Sequence, residues 1–166
     1  MKSSIKVRAL TPRDAAWVKD FVLQHWGAPT MVVHGVLYTM DELPGLVALS
    51  ENEEVVGLLT YTIQGQSCEI VSLDSLRPRE GIGGILVQTV VQHARELGCT
   101  RLWLITTNDN LNALRFYQKR GFVLSALHRN AVEQARTLKP QIPLLGNDDI
   151  PLRDELELEM LFGSEK

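Results

Sequence analysis

The period of the apolar pattern changes several times along the chain, and each change marks an element. Ile5, Val7 and Ala9 alternate with Lys6 and Arg8, which predicts a strand over 5–10. Thr11 followed by Pro12 is a helix start, with threonine as N-cap and proline at the first helical position. Ala15, Trp17, Val18, Phe21, Val22 and His25 then form a helical stripe to Trp26, which Gly27, Ala28 and Pro29 break. Residues 31–39 are rich in β-formers and read as one strand, despite Gly35. Short strands follow at 46–49, 55–63 and 69–76, with turns at 51–53 and 65–66, a spacing that predicts an antiparallel meander.

Pro78 ends the last of these strands. Gly81-Ile82-Gly83-Gly84 leads into a helix over 85–97, apolar at 86, 90, 94 and 97 and closed by Gly98. A buried strand at 101–106, a helix at 110–120 closed by Gly121, a strand at 122–127 and a helix at 130–139 come next. Pro140 and Pro143 then force a loop. Leu156, Leu158, Met160 and Phe162 alternate with Glu155, Glu157 and Glu159, a final strand with one apolar and one acidic face. The order β–α–β-meander–glycine loop–α–β–α–β–α–β predicts a mixed α/β (α+β) domain spanning 1–166. Within it, 69–106 is expected to be a parallel β-α-β crossover.

Composition narrows the function. With 17 basic and 20 acidic residues the net charge is −3, which leaves no cationic field for a nucleic acid. No apolar run approaches the ~20 residues of a membrane span, and the start does not read as a signal peptide, so a cytoplasmic protein without membrane association is expected. Cys68 and Cys99 form neither a disulfide framework nor a CxxC pair and are expected to be small buried side chains. His34, His93 and His128 have no metal-ligand spacing, so no metal site is expected. Trp17, Trp26 and Trp103 are expected to pack. The acidic run over 148–159 reads first as a solvated strand face, and more sharply as an attraction for a cationic acceptor or a partner chain.

The glycine loop carries the chemistry. It lies between a strand and a helix, so a ligand can approach its backbone without meeting a Cβ. The first amides of the helix lack internal partners and, with the helix dipole, suit a phosphate. A plain strand-to-helix turn needs the same glycines. Leu86 breaks GxGxxG, and the Lys-Ser/Thr of a P-loop is missing, so neither a dinucleotide nor a nucleoside triphosphate fits. Downstream, Asn110 can cap a helix whose Ala113 and Tyr117 share a face and whose end is Gly121-Phe122.

These two stretches, 73–86 and Asn110-x-x-Ala113-x-x-x-Tyr117-x-x-x-Gly121-Phe122, resemble in order and separation the GNAT superfamily of N-acetyltransferases. The tail at 138–143 and 150–159 resembles a bacterial subgroup of it. The resemblance covers nearly the whole chain. It implies a central, mostly antiparallel twisted sheet of about seven strands flanked by helices. It implies transfer of acetyl from acetyl-CoA to a primary amine, on a small molecule or peptide, directly within a ternary complex. The alternative is a non-catalytic acyl-CoA-binding sensor or interaction module. Under the resemblance, the amides of Arg79, Glu80, Gly81, Ile82, Gly83 and Gly84 cradle the CoA pyrophosphate. The backbone of Leu73, Asp74 and Ser75 pairs with the pantetheine arm and offers an oxyanion donor. Asn110 contacts the arm, and Tyr117 lies near the thioester sulfur as proton donor to the thiolate.

One departure stands out. Pro78 occupies the place where the family carries Gln or Arg, and Arg77 or Arg79 is expected to replace that charge. Glu69 and Asp74 are the candidate general bases. In a regular strand their parity sends them to opposite faces, unless a bulge intervenes. A homodimer through the alternating terminal strand is also open.

Overall fold

A computed structural model describes residues 4–163. β1 (Lys6–Ala9) turns through a single 3-10 turn into α1 (Ala15–Trp26). Asp14 makes that corner. Its buried carboxylate accepts from Thr11 N and Trp17 Nε1 at 2.7 Å each and from the Arg8 guanidinium at 2.8 and 3.0 Å. An otherwise orphaned N–H and a cation are thus satisfied by one acid. Gly27, at φ 76°, ends α1 where the sequence predicts.

The stretch expected to be one strand is a hairpin. β2 (Thr30–Val33) and β3 (Val36–Thr39) pair antiparallel around His34 and Gly35, whose φ values are 49° and 76°. Two successive left-handed residues give the turn whose twist matches the flanking strands. β-branched residues on both sides hid it, because the apolar run continues through the turn.

The meander is β4 (Gly45–Leu49), β5 (Val55–Gln64) and β6 (Ser67–Ser75). α2 (Ile82–Glu96) crosses over to β7 (Arg101–Thr107), which is parallel to β6. Then come α3 (Leu111–Gln118), β8 (Val123–His128), α4 (Ala131–Leu138) and β9 (Glu155–Leu161). The main sheet has seven strands in the order β1-β4-β5-β6-β7-β9-β8, antiparallel except for β6–β7. α2 and α3 cover one face, over a core that includes Leu86, Val90, Leu102 and Leu158. α1 and the hairpin cover part of the other, over Val18, Val22, Met40 and Leu58. α2 starts earlier than its apolar pattern suggests, taking in Gly83 and Gly84, and Leu97 falls outside it and is exposed.

β9 corrects two expectations. Its acidic side is not a solvated face: Glu155 is buried, and half-buried Glu157 and Glu159 together hold the Arg101 guanidinium, which lies 4.9 Å from the Trp103 ring centroid. β9 also has partners on both edges, β7 and β8, so it has no free edge to offer a second copy.

Candidate active site

The site is built where two parallel strands stop pairing. β6 and β7 are in register from Ser67↔Arg101 to Ile70↔Leu104 and no further, although both strands continue. The cause is a bulge: Tyr61 pairs with Ile70 and Thr60 with Ser72, leaving Val71 over. A bulge bends its strand and increases its twist. Beyond Val71 the β7-facing edge of β6 therefore has no strand partner, and its main chain over Leu73, Asp74 and Ser75 is free for an extended ligand.

The glycine loop opens beside this notch. Arg79 and Gly81 have φ of 67° and 76°, and a Cβ on Gly81 would meet nothing within 4 Å. The first helical bond of α2 runs from Ile85 N to Gly81 O at 3.0 Å, so the amides of Ile82, Gly83 and Gly84 have no acceptor within the helix. Gly83 and Gly84 are small for a second reason. Added Cβ atoms there would lie 3.2 Å from the Phe116 ring and 3.1 Å from the Arg120 guanidinium. The two glycines let α3 pack against the first turn of α2.

Three arginines lie near the loop. Arg77 lies 3.6 Å from Glu54 and 3.9 Å from Glu80, and Arg79 is exposed. Arg120, for which the sequence carries no signal, is fixed beside Gly84. It lies 3.7 Å from the Phe116 ring centroid and donates from Nη1 to Phe116 O at 2.9 Å. It makes no ion pair among the described residues. Its place was not legible because Gly84 is remote in sequence.

Asn110 caps α3, accepting from Ala113 N at 3.1 Å. One face of α3 sets Tyr117 into the core, edge-on to Phe116 and Phe122 at 4.9 and 5.4 Å. The Tyr117 hydroxyl has no hydrogen-bond partner among the described residues and is not sealed from solvent. Burial raises its pKa, the nearby Asp74 charge raises it further, and Arg120 opposes both. The phenol therefore stays protonated as a donor.

The bulge also decides the parity of the two carboxylates. Because Val71 is extra, Glu69 and Asp74 share a face of β6, contrary to the expectation for a regular strand. Asp74 accepts from Trp26 Nε1 at 3.1 Å, and Glu69 from Tyr38 Oη at 3.0 Å. Trp26 and Tyr38 come from α1 and β3, which both lie on that side of the sheet. Burial raises the pKa of each acid, and for Glu69 the charges of Glu155 and Glu157 add to it while Tyr38 and Arg101 oppose. Glu69 Oε1 is the buried side-chain polar atom without a partner among the described residues. Tyr38 is pushed up to about 12, mainly by burial and by Glu69.

Across the notch from the glycine loop lies a cavity of about 350 Å³. Val71 and Ile105 form its floor, and Trp26, the hairpin, α4 and the 142–152 segment form its walls. That segment is held in place by Arg136, which donates to the carbonyls of Ile142, Pro143 and Leu152 at 3.2, 2.7 and 2.8 Å. Sequence patterning gave no signal for this enclosure, because irregular chain has no period.

The remaining expected residues stay outside. Cys68 and Cys99 are buried, and burial raises both thiols, Cys68 to about 12. His93 pairs with Tyr61 Oη at 2.9 Å rather than facing solvent alone. His34 sits in the hairpin turn against the His128 ring at 4.2 Å. Among the described residues, no cluster of acids, histidines or cysteines has the makings of a metal site, and no helix is long and apolar enough to cross a membrane.

A notch between splayed parallel strands, flanked by free helix amides and a buried tyrosine, is the architecture of a CoA-dependent acyltransferase. The family model described as "Acetyltransferase (GNAT) family" matches residues 15–122, and the chain belongs to that family. The uncharacterized protein YdhI of Bacillus subtilis (strain 168) is 49% identical over 137 residues, covering 82% of this chain and 86% of YdhI. A Bacillus subtilis acetyltransferase solved in complex with CoA superposes with a TM-score of 0.66 at 20% identity, covering 97% of this chain and 99% of that one. A GNAT family acetyltransferase from Elizabethkingia anophelis with acetyl-CoA bound gives 0.66 at 21%, covering 95% and 98%.

Proposed function

We propose that this acetyltransferase moves the acetyl group of acetyl-CoA onto the nitrogen of an amine, directly, with both substrates bound. The observation that carries the reading is the splay of β6 from β7 at Val71, with free α2 amides on one side and a cavity on the other.

The amides of residues 79–84 and the positive end of α2 receive the pyrophosphate. The unpaired main chain of Leu73, Asp74 and Ser75 aligns the pantetheine arm, with Asn110 beside it. This delivers the thioester to the notch. The amine nitrogen must be neutral to attack. Glu69, its pKa raised by burial, is one candidate to take the ammonium proton, through a water because its unpartnered oxygen is sealed from direct contact. Asp74 holds Trp26 at the rim and is the second candidate. Attack converts the carbonyl to an oxyanion, for which a free β6 amide is the donor. The attacking nitrogen gives up its second proton to water, the C–S bond breaks, and Tyr117 hydrogen-bonds the thiolate or passes it a proton that water restores. No covalent enzyme intermediate is required, because holding both reactants together supplies the rate.

Calorimetric titration with acetyl-CoA, followed by thiol release in the presence of amines, tests this. Binding with amine-dependent release is expected. Tyr117→Phe should keep the acetyl-CoA affinity and lower kcat about 100-fold. Binding with no acetylation of any amine would instead establish a sensor module, and unchanged kcat in Tyr117→Phe would leave that residue a packing role.

A further inference from the structure

The cavity beyond the thioester limits what can enter it. Two carboxylates line it, Asp109 and Glu155. Asp109 is already satisfied: it accepts from Thr107 Oγ1, from Asn147 N at 2.8 Å and from Asn147 Nδ2 at 3.0 Å. Glu155 is not. It is 4% exposed, and its Oε2 accepts from His34 N at 3.0 Å. Its Oε1 has no partner among the described residues, and the residue lines the cavity. A carboxylate this buried, with half of its accepting capacity unused, is costly unless a donor arrives. Among the described residues, no lysine, arginine or histidine lines the cavity.

The enclosure is tied down on several sides. Lys139 Nζ donates to Thr30 O at 3.2 Å, joining α4 to the hairpin, and the bond from His34 to Glu155 joins the hairpin turn to β9. Val132, Ala135 and Leu152 make its far wall apolar. These residues and Glu155 lie beyond the stretch that the family model matches, whereas the floor and the hairpin wall lie within it.

We propose that the acceptor is a small monoamine with an apolar body and no carboxylate, drawn into this cavity as its ammonium by Glu155 and free to attack once that proton is lost. The inference rests on the acetyl-transfer reading and deepens it. At about 350 Å³ the cavity lies near the small end of ligand pockets, which run from ~300 to ~1,000 Å³. An amino acid would bring a second carboxylate next to Glu155 with no cation to meet it. A polyamine would leave a second ammonium against an apolar wall. A peptide terminus needs a long groove, and here the hairpin, α4 and the 142–152 segment bound a short cavity.

The test compares butylamine, benzylamine and phenethylamine with spermidine, glycine, lysine and a short peptide, in turnover and in calorimetric binding to the CoA complex. The monoamines should give the higher kcat/KM. Glu155→Gln keeps an acceptor for His34 N but removes the charge. It should raise the monoamine KM about tenfold to a hundredfold, with acetyl-CoA affinity unchanged. Ala135→Leu, which fills the far wall, should cut kcat/KM for phenethylamine by about tenfold or more relative to butylamine. Preference for a carboxylate-bearing, polycationic or peptide acceptor would overturn the proposal while leaving acetyl transfer intact, as would a monoamine KM unmoved in Glu155→Gln. Monoamine binding that responds to both substitutions without any turnover would support this pocket and sink the acetyl-transfer reading.

Discussion

Glu69 shows how one side chain sets a pH dependence. Its carboxyl is buried, hydrogen-bonded through one oxygen only and surrounded by Tyr38, Arg101, Glu155 and Glu157. Burial and the two neighbouring acids hold its pKa above the ordinary 4.5, against the pull of Tyr38 and Arg101. A base works only when ionised, so activity should fall as pH drops through this raised pKa. The acid limb of kcat/KM should therefore lie above the usual glutamate range. Glu69→Gln should abolish that limb along with most of the turnover while leaving acetyl-CoA affinity unchanged. A limb that persists unshifted in Glu69→Gln would transfer the role to Asp74. The same burial makes the ionised form unfavourable in the folded state. Glu69 thus withdraws stability as pH rises through its folded pKa, and Glu69→Gln should gain thermal stability on the alkaline side.

At the scale of elements, the contact between α2 and α3 links the two stretches that resemble the family. Gly83 and Gly84 admit Phe116 and Arg120 against the first turn of α2, which places a guanidinium beside the free amides. That position makes Arg120 the candidate for the charge that Pro78 cannot supply, whereas Arg77 lies near Glu54 and Glu80. Arg120→Gln should weaken acetyl-CoA binding about tenfold, with Arg77→Gln close to wild type, as read by calorimetry. The reverse order would return the role to Arg77. The elements themselves were largely legible, because a two-residue period, a helical stripe and a glycine stop are local signals. The hairpin turn at His34-Gly35 was not, since its flanking strands share one apolar run. Nor was the bulge at Val71: an extra residue in a strand leaves no mark on composition, yet it decides on which side Asp74 stands. The cavity walls were the least legible, because the 142–152 segment is held by backbone carbonyls rather than by a side-chain pattern.

On the scale of the whole molecule, the last strand closes the first-formed half. β9 enters between β7 and β8, so the interior of the sheet stays open until the end of the chain arrives. Without β9, β7 would keep only its short parallel pairing with β6, and its other edge would leave buried amides and carbonyls unmet. Leu158, fully buried in the core, would be missing, as would the acids that hold Arg101. Such long-range pairing is costly in loop-closure entropy until it is complete, so closure is expected late in folding. Removing residues 153–166 should therefore abolish the cooperative thermal transition seen by near-ultraviolet circular dichroism, whereas Glu155→Gln should retain it within a few degrees. A truncated chain that still melts cooperatively and binds acetyl-CoA would make β9 an appendage. The retained transition of Glu155→Gln matters as much, because one strand both completes the sheet and carries the carboxylate of the acceptor cavity. Only a variant that keeps the strand and loses the charge separates acceptor recognition from the integrity of the fold.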